Sequence, residues 1–196
     1  MAKARLHQQL AFIVEIDKLK QVFRQNLIVD GSRRENDAEH SWHLAVMACL
    51  LQEYVDEPVD LVRVLKMVLL HDLVEVDAGD VFCYDDEANI NKAERERVAA
   101  ERIYSLLPED QREEYLGLWL EFEEHRTPEA RFAVCLDRLQ PILQNYHTGG
   151  GTWVAHRVPL AKVMKRLAPI KDASVELGEF AEDLIREAIA RGYLTE

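Results

Sequence analysis

The sequence predicts an all-α protein, a bundle of about seven or eight helices. Apolar residues recur at intervals of three and four along most of the 196 residues, the period of a helix that buries one face. The interruptions carry Pro, Gly, Ser, Thr, Asn and Asp where helices start and stop. No run alternates apolar and polar residues convincingly, as a half-buried strand would. The length suits one domain with a substantial core, expected over residues 1–196.

In chain order, Leu6, Leu10, Ile13, Val14 and Ile16 form an apolar stripe that continues through Leu19, Val22 and Phe23 and predicts the first helix. The segment NLIVDGSRREND breaks this pattern and reads as a loop. Asn36 or Asp37 is suited to cap a second helix that runs to about Tyr54. Pro58 and Asp60 open a third, apolar on nearly all sides, which marks it as the buried central element ending near His71 to Glu75. Glu87 to Leu107 reads as a charged amphipathic helix, ended by Pro108. PEDQREEYLGLWLEFEE makes another, with Pro in its first turn. Thr127 as cap and Pro128 at the first helical position open TPEARFAVCLDRLQPILQNYH, in which Pro141 should kink or interrupt the helix. TGGGT is a flexible break before two C-terminal helices at about 156–168 and 172–191.

With 24 basic and 36 acidic residues the formal net charge is −12, which argues against a nucleic-acid partner or an anionic membrane surface. A small phosphorylated ligand needs only a local arginine and remains compatible. Cys49, Cys83 and Cys135 are widely spaced and form no CxxC pair, so neither a disulfide framework nor a structural zinc knuckle is indicated. Met1 to Lys20 lacks a signal-peptide core, because His7, Glu15 and Asp17 interrupt it. No apolar stretch approaches the roughly 20 residues that span a bilayer. The expected location is the cytoplasm.

The stretch HDLVEVDAGD, residues 71–80, is where chemistry concentrates. It belongs to 25 residues between Lys66 and Lys92 that hold seven acids and no Lys or Arg. Like charges so close repel, so the stretch is either a solvated loop or neutralised by something cationic. His71 and Asp72 follow VLKMVLL and therefore emerge from the core. Asp137 interrupts the apolar face of RFAVCLDRLQPIL, and His40 lies in the first turns of the second helix. A lone histidine is ordinarily a satisfied core or surface residue. Together, two imidazoles and two carboxylates make a mixed N/O set suited to a first-row divalent metal, and the lack of cysteine argues against structural zinc. Glu75 stands at i+3 from Asp72 and i+4 from His71, on the same face if the helix continues.

His40, the adjacent HD at 71–72 and Asp137 in CLDRLQP resemble the ordered H…HD…D signature of the HD-domain metal-dependent phosphohydrolases. Within that superfamily, ENDAEHSWHLA and HDLVEVDAGD are similar to the bacterial 5′-deoxynucleotidases and their oxetanocin-biosynthesis relatives, over roughly Leu19 to Tyr146. The resemblance implies one HD domain whose metal-site core is about 19–146. It implies His40, His71, Asp72 and Asp137 as ligands of one divalent metal per chain (Mn, Co, Mg, Fe, Ni or Zn). Glu75 becomes the proton donor or acceptor, Arg24 the phosphate-binding arginine, and Asp80 a residue near the substrate phosphate and ribose. The implied activity is release of phosphate from a nucleoside 5′-monophosphate, in particular a deoxynucleotide, and the implied assembly is a homodimer.

Two departures stand out. The deoxynucleotidases carry Trp directly after the arginine, where this chain has Gln25, and their Pro/Thr-rich segment after GD is replaced by VFCYDDEANINKAERERVA. His43 is left out of the ligand set, Arg33 and Arg34 read as exposed loop residues, and His125, His147 and His156 as structural or surface groups. One alternative is an HD phosphohydrolase acting on a triphosphate or guanosine tetraphosphate, against which stands the lack of an obvious cluster of bases. The other is a non-catalytic metal- or nucleotide-binding helical module, against which stands Glu75.

Overall fold

Ten α-helices and one short hairpin make up the described residues, 2–194 of the computed structural model. The long helices are α1 (Ala2–Ile16), α2 (Asp37–Leu51), α3 (Leu61–Leu70), α5 (Lys92–Tyr104), α6 (Glu109–Glu124), α7 (Pro128–His147), α9 (Leu160–Ala173) and α10 (Val175–Ala190). Two more, α4 (Glu75–Ala78) and α8 (Gly151–Ala155), are about one turn each. Strands β1 (Phe23–Leu27) and β2 (Arg34–Asn36) pair antiparallel. The all-α expectation therefore holds, with eight long helices among the described residues. None is long and apolar enough to cross a membrane.

The central element is α7, not α3. It packs against α9, α3, α10, α2 and α6 and buries Phe132 to Asp137 in one unbroken run. α3 buries Val64, Met67, Val68 and Leu70 but exposes Val62 and Leu69, so its apolar surface exceeds what its neighbours cover. Nor does Pro141 interrupt α7, which continues six residues beyond it. A proline has no N–H to give the carbonyl four residues earlier, here that of Asp137. Lateral packing on five helices holds α7 together across that missing bond.

The loop expected at NLIVDGSRREND is in part a hairpin. Phe23 faces Asn36 and Leu27 faces Arg34, so β1 advances further than β2 between the two pairs and must bulge. A bulge lets consecutive residues turn to one side, and Arg24, Gln25 and Asn26 all line the same cleft. The strand escaped a periodicity test because FRQNL has no alternation. α1 corrects a second expectation: Leu6, Leu10, Ile13 and Val14 are exposed. Its anchor is Phe12, stacked on Tyr104 with ring centroids 6.4 Å apart and set edge-on to Tyr115. α5 begins at Lys92 rather than near Glu87, TGGGT turns directly into α8, and α9 and α10 start at Leu160 and Val175.

Helix ends carry the chemistry, and each is tied down. Asn36 caps α2 by accepting from the Glu39 N–H, while the Glu39 side chain accepts from the Asn36 N–H, a reciprocal capping box. Asp60 caps α3, and Thr127 caps α7 with Pro128 in the first turn. At the other end of α3 the Leu70 carbonyl accepts from the Tyr104 hydroxyl at 2.9 Å. The chain then tightens into a 3₁₀ turn, His71–Val74, before α4. Gly79 ends α4 at φ +75° and ψ 148°, a region essentially reserved for glycine, and so fixes the direction in which Asp80 leaves.

The cap on α2 is directly testable. Asn36→Ala removes the acceptor for the Glu39 N–H and should cost about 1 kcal/mol. In urea titration the midpoint falls while the slope stays constant, and Asn36→Ser restores most of the loss. An unchanged midpoint in the alanine variant would show that the box contributes nothing.

Candidate metal centre

Three helices deliver four side chains to one buried point. α2 supplies His40, the end of α3 supplies His71 and Asp72, and α7 supplies Asp137, all buried. His40 Nε2 is 3.1 Å from Asp137 Oδ1 and 3.9 Å from Asp72 Oδ2. His71 Nε2 is 3.1 Å from Asp72 Oδ1 and 3.9 Å from Asp137 Oδ1. Metal–ligand bonds of roughly 2.0–2.2 Å set neighbouring donors roughly 3–4 Å apart; His40, His71 and Asp72 offer donor atoms all within 4.8 Å of one another, and Asp137 Oδ1 adjoins both imidazoles.

Hydrogen bonds on the far side of each ring fix which nitrogen is free. His71 Nδ1 is 3.0 Å from the Val68 carbonyl, an acceptor only, so Nδ1 carries the proton. Its Nε2 is buried without a hydrogen-bond partner, an orphan that a cation satisfies. The orientation of His40 is set through Gln140. Glu35 accepts from Gln140 Nε2 at 2.8 Å, which turns Gln140 Oε1 toward His40 Nδ1 at 3.2 Å. That oxygen accepts, so His40 Nδ1 carries a proton and its Nε2 turns inward, 3.1 Å from Asp137 Oδ1, where a bound cation would take the place of the proton that the two atoms otherwise share. Such outer partners orient metal-binding imidazoles. Gln140 Nε2 also faces His43 Nδ1 at 3.3 Å, which places His43 behind the quartet.

The surrounding charges divide the carboxylates into two kinds. Burial would raise the Asp72 pKa, but His71 and Arg24 outweigh it and hold the group well below the usual carboxylate range. Burial opposes ionisation of Asp137 too, and Arg138, His40 and His71 overcome it. Both are thus anionic, as ligation requires. Glu75, Asp37 and Asp80 go the other way. Burial, then Asp72, Asp37 and Asp80, push Glu75 well above its ordinary value. Burial, then Asp72, push Asp37 up to about 8. Burial also raises Asp80, against the pull of Arg24. Oxygens of Asp37, Glu75 and Asp80 lie within 4.8 Å of one another, and both Asp37 oxygens are buried without hydrogen-bond partners.

The quartet opens onto a cleft lined by Arg24, Asn26, Glu75, Asp80, Phe82, Tyr84, Lys92, Arg138 and Arg166 among others. All the expected site residues therefore converge. Arg24 lies 3.2 Å from Asp72, 3.7 Å from Glu35 and 3.9 Å from Asp37. Arg33 and Arg34 stay outside, as expected; Arg33 pairs with Glu39 and Arg34 donates to the Phe23 carbonyl. His125 lies nearer than expected, on a second opening beside His71, Glu96 and Glu123. The sequence reading missed Asp37, taken only as a possible cap, and the outer residues Glu35 and Gln140. It also missed Asn26, whose buried Nδ2 lacks a partner, and the cations Lys92 and Arg166. The lack of a basic cluster thus fails as an expectation: it is assembled from β1, α5, α7 and α9. The only sequence signal for any of these was Gln140 one turn beyond Asp137.

A family model described as the HD domain matches residues 16–177. The human 5′-deoxynucleotidase HDDC2 is 34% identical over 136 residues, 69% of this chain and 65% of that protein. The match thus spans just under two thirds of the human relative's length. The 5′-deoxynucleotidase hdd1 of Schizosaccharomyces pombe is 29% identical over 143 residues, 69% of each. Among solved structures, a predicted metal-dependent phosphohydrolase from Magnetospirillum magnetotacticum MS-1 is 55% identical, with a TM-score of 0.96 over 100% of this chain and 98% of that one. A buried His–His–Asp–Asp quartet in a matching helical frame agrees with these likenesses: the chain belongs to the HD-domain family, related to the 5′-deoxynucleotidases.

Proposed function

We propose that the chain is a divalent-metal-dependent phosphohydrolase that releases phosphate from nucleoside 5′-monophosphates, deoxynucleotides in particular. The observation that carries this reading is the pairing of a quartet whose two imidazole Nε2 atoms face inward with a neighbouring carboxyl, Glu75, that favours its protonated form. His40, His71, Asp72 and Asp137 hold the cation. A bound divalent metal supplies Lewis acidity toward a phosphoryl oxygen and the attacking water. Glu75 hands its proton to the departing 5′ oxygen, the act for which a raised pKa suits a carboxyl. Arg24 donates to non-transferring phosphate oxygens in charge-assisted bonds. Asp80, oriented by Gly79, accepts from the sugar. Holding these groups ready in a buried site supplies catalysis by position and field.

The test is phosphate release from a panel of ribo- and deoxyribonucleoside monophosphates. Activity should vanish with chelator and return with added divalent metal. Retained metal with no turnover on any member would favour a binding module instead.

Glu75→Gln separates proton transfer from metal binding. The amide keeps size and polarity but transfers no proton, so metal content and KM should hold while kcat falls roughly 100- to 10,000-fold. Near-normal kcat with metal retained would sink the role, and loss of metal would make Glu75 a ligand.

We also propose a homodimer, supported by the family resemblance and by two exposed apolar strips. One is Leu6, Leu10, Ile13 and Val14 on α1; the other is Trp42, Val46 and Leu50 on α2. Light scattering at micromolar concentration should return twice the 22.6 kDa of the chain. A monomer mass would reject the dimer.

A further inference from the structure

The cations of the cleft are not equivalent. Arg24 is surrounded by acids: Asp72, Glu35 and Asp37 lie within 3.9 Å. Lys92 has Glu96 at 3.2 Å. Arg138 is ion-paired with Oδ2 of Asp137 at 2.8 Å, the outer oxygen of a carboxylate whose Oδ1 faces His40. Arg166, half-buried on α9, lines the same cleft and, among the described residues, has neither a hydrogen-bond partner nor a carboxylate within 4 Å. Its nearest influences include burial, Arg138, Cys83 and Tyr84, and the first two lower its pKa. Arg138 and Arg166 thus line one cleft, and of the two only Arg138 has a carboxylate within 4 Å among the described residues, that of Asp137.

Partly buried charges are ordinarily paired, because an unpaired one forfeits hydration without return. A pair of arginines with one shared acid is the arrangement that binds phosphate, through planar N–H forks. Its place in the cleft matters. Arg24 flanks the quartet on the Asp72 side, and Arg138 flanks it on the Asp137 side with Arg166 beyond. A phosphate cleaved at the quartet and held by Arg24 leaves the second pair free.

We propose that Arg138 and Arg166 form a second anion subsite, which takes a phosphoryl group that the substrate carries in addition to the one cleaved. Besides the monophosphates proposed above, the cleft then also accepts a nucleotide with a second phosphoryl group and binds it more tightly. Which phosphate is cleaved rests on the phosphohydrolase reading; the existence of the subsite does not.

Binding without turnover keeps the two apart. Isothermal titration calorimetry in chelator compares a nucleoside 5′-monophosphate with the 5′-diphosphate and the 3′,5′-bisphosphate of the same base, on wild type, Arg166→Gln and Arg166→Lys. Wild type should bind at least one two-phosphate ligand roughly 10- to 100-fold tighter than the monophosphate, the worth of one or two charge-assisted hydrogen bonds. Whichever ligand gains reveals where the second phosphoryl sits. Arg166→Gln should erase that increment and leave monophosphate affinity within about twofold, while Arg166→Lys keeps part of it. Equal affinities in wild type overturn the subsite even if a variant fails to fold. A uniform loss across all three ligands in Arg166→Gln also overturns it, assigning Arg166 to the cleaved phosphate.

Discussion

Asp137 lies in the middle of the most buried helix of the molecule, and an ionised carboxylate there is stable only if charge is brought to it. Burial alone favours its neutral form; Arg138, His40 and His71 reverse that preference. Much of the architecture follows from supplying those partners. α2 must start where His40 reaches Asp137, which the Asn36 cap determines. α3 must end where His71 and Asp72 arrive from the opposite side, which the Tyr104 hydroxyl on the Leu70 carbonyl and the 3₁₀ turn arrange. Pro141 denies the Asp137 carbonyl its usual helical N–H, and the helix tolerates this because neighbours enclose it on all sides. Fold and site share one constraint: the polar cluster is buried by the elements that it orients.

What the sequence made legible were the places where chemistry contradicts pattern. A His-Asp pair after VLKMVLL and an Asp inside RFAVCLDRLQPIL are anomalies that burial makes costly, and the structure brings them together. Caps were legible for a related reason, since Asn36, Asp60 and Thr127 act on backbone groups two or three residues away. The hairpin was not, because its strand is polar and bulged and its pairing is set by the cleft it lines. α1 exposes the limit of periodicity most clearly: a stripe from Leu6 to Val14 shows that a helix is amphipathic and nothing about what covers it. The outer partners were hidden for a third reason. Glu35 and Gln140 are 105 residues apart, and neither is unusual in its own segment.

The acidic run between Lys66 and Lys92 resolves into separate solutions rather than one. Asp77 is clamped by Arg102 at 2.6 Å and Asp86 by Lys162 at 2.8 Å, ordinary surface pairs supplied by distant helices. Asp72 is held anionic by His71 and Arg24. Burial and neighbouring acids move Glu75 toward its protonated form, and burial moves Asp80 the same way against the pull of Arg24. The same 25 residues thus yield a buried anionic carboxylate, carboxyls that shift toward their protonated forms and paired surface acids, and tertiary neighbours decide which is which. A charge count along the chain cannot separate them, because it ignores burial and direction.

That distinction also explains how a chain of net charge −12 offers a cleft lined by four cations. Net charge governs the field at distances beyond about 8–10 Å, where salt screens it, and there this surface repels polyanions. Inside the cleft the relevant field comes from groups a few ångströms away in a medium less polarisable than water, where each interaction is stronger. Four cations from four elements meet there, and most are offset by carboxylates that the quartet and its neighbours supply. Arg166 is the exception, lining the cleft with no carboxylate within 4 Å among the described residues. In the proposed reading a small anion in the cleft would meet positive charge on both flanks of the quartet, from Arg24 on the Asp72 side and Arg138 on the Asp137 side, so the placement of local charges, and not their sum, would decide how a phosphate ester lies there.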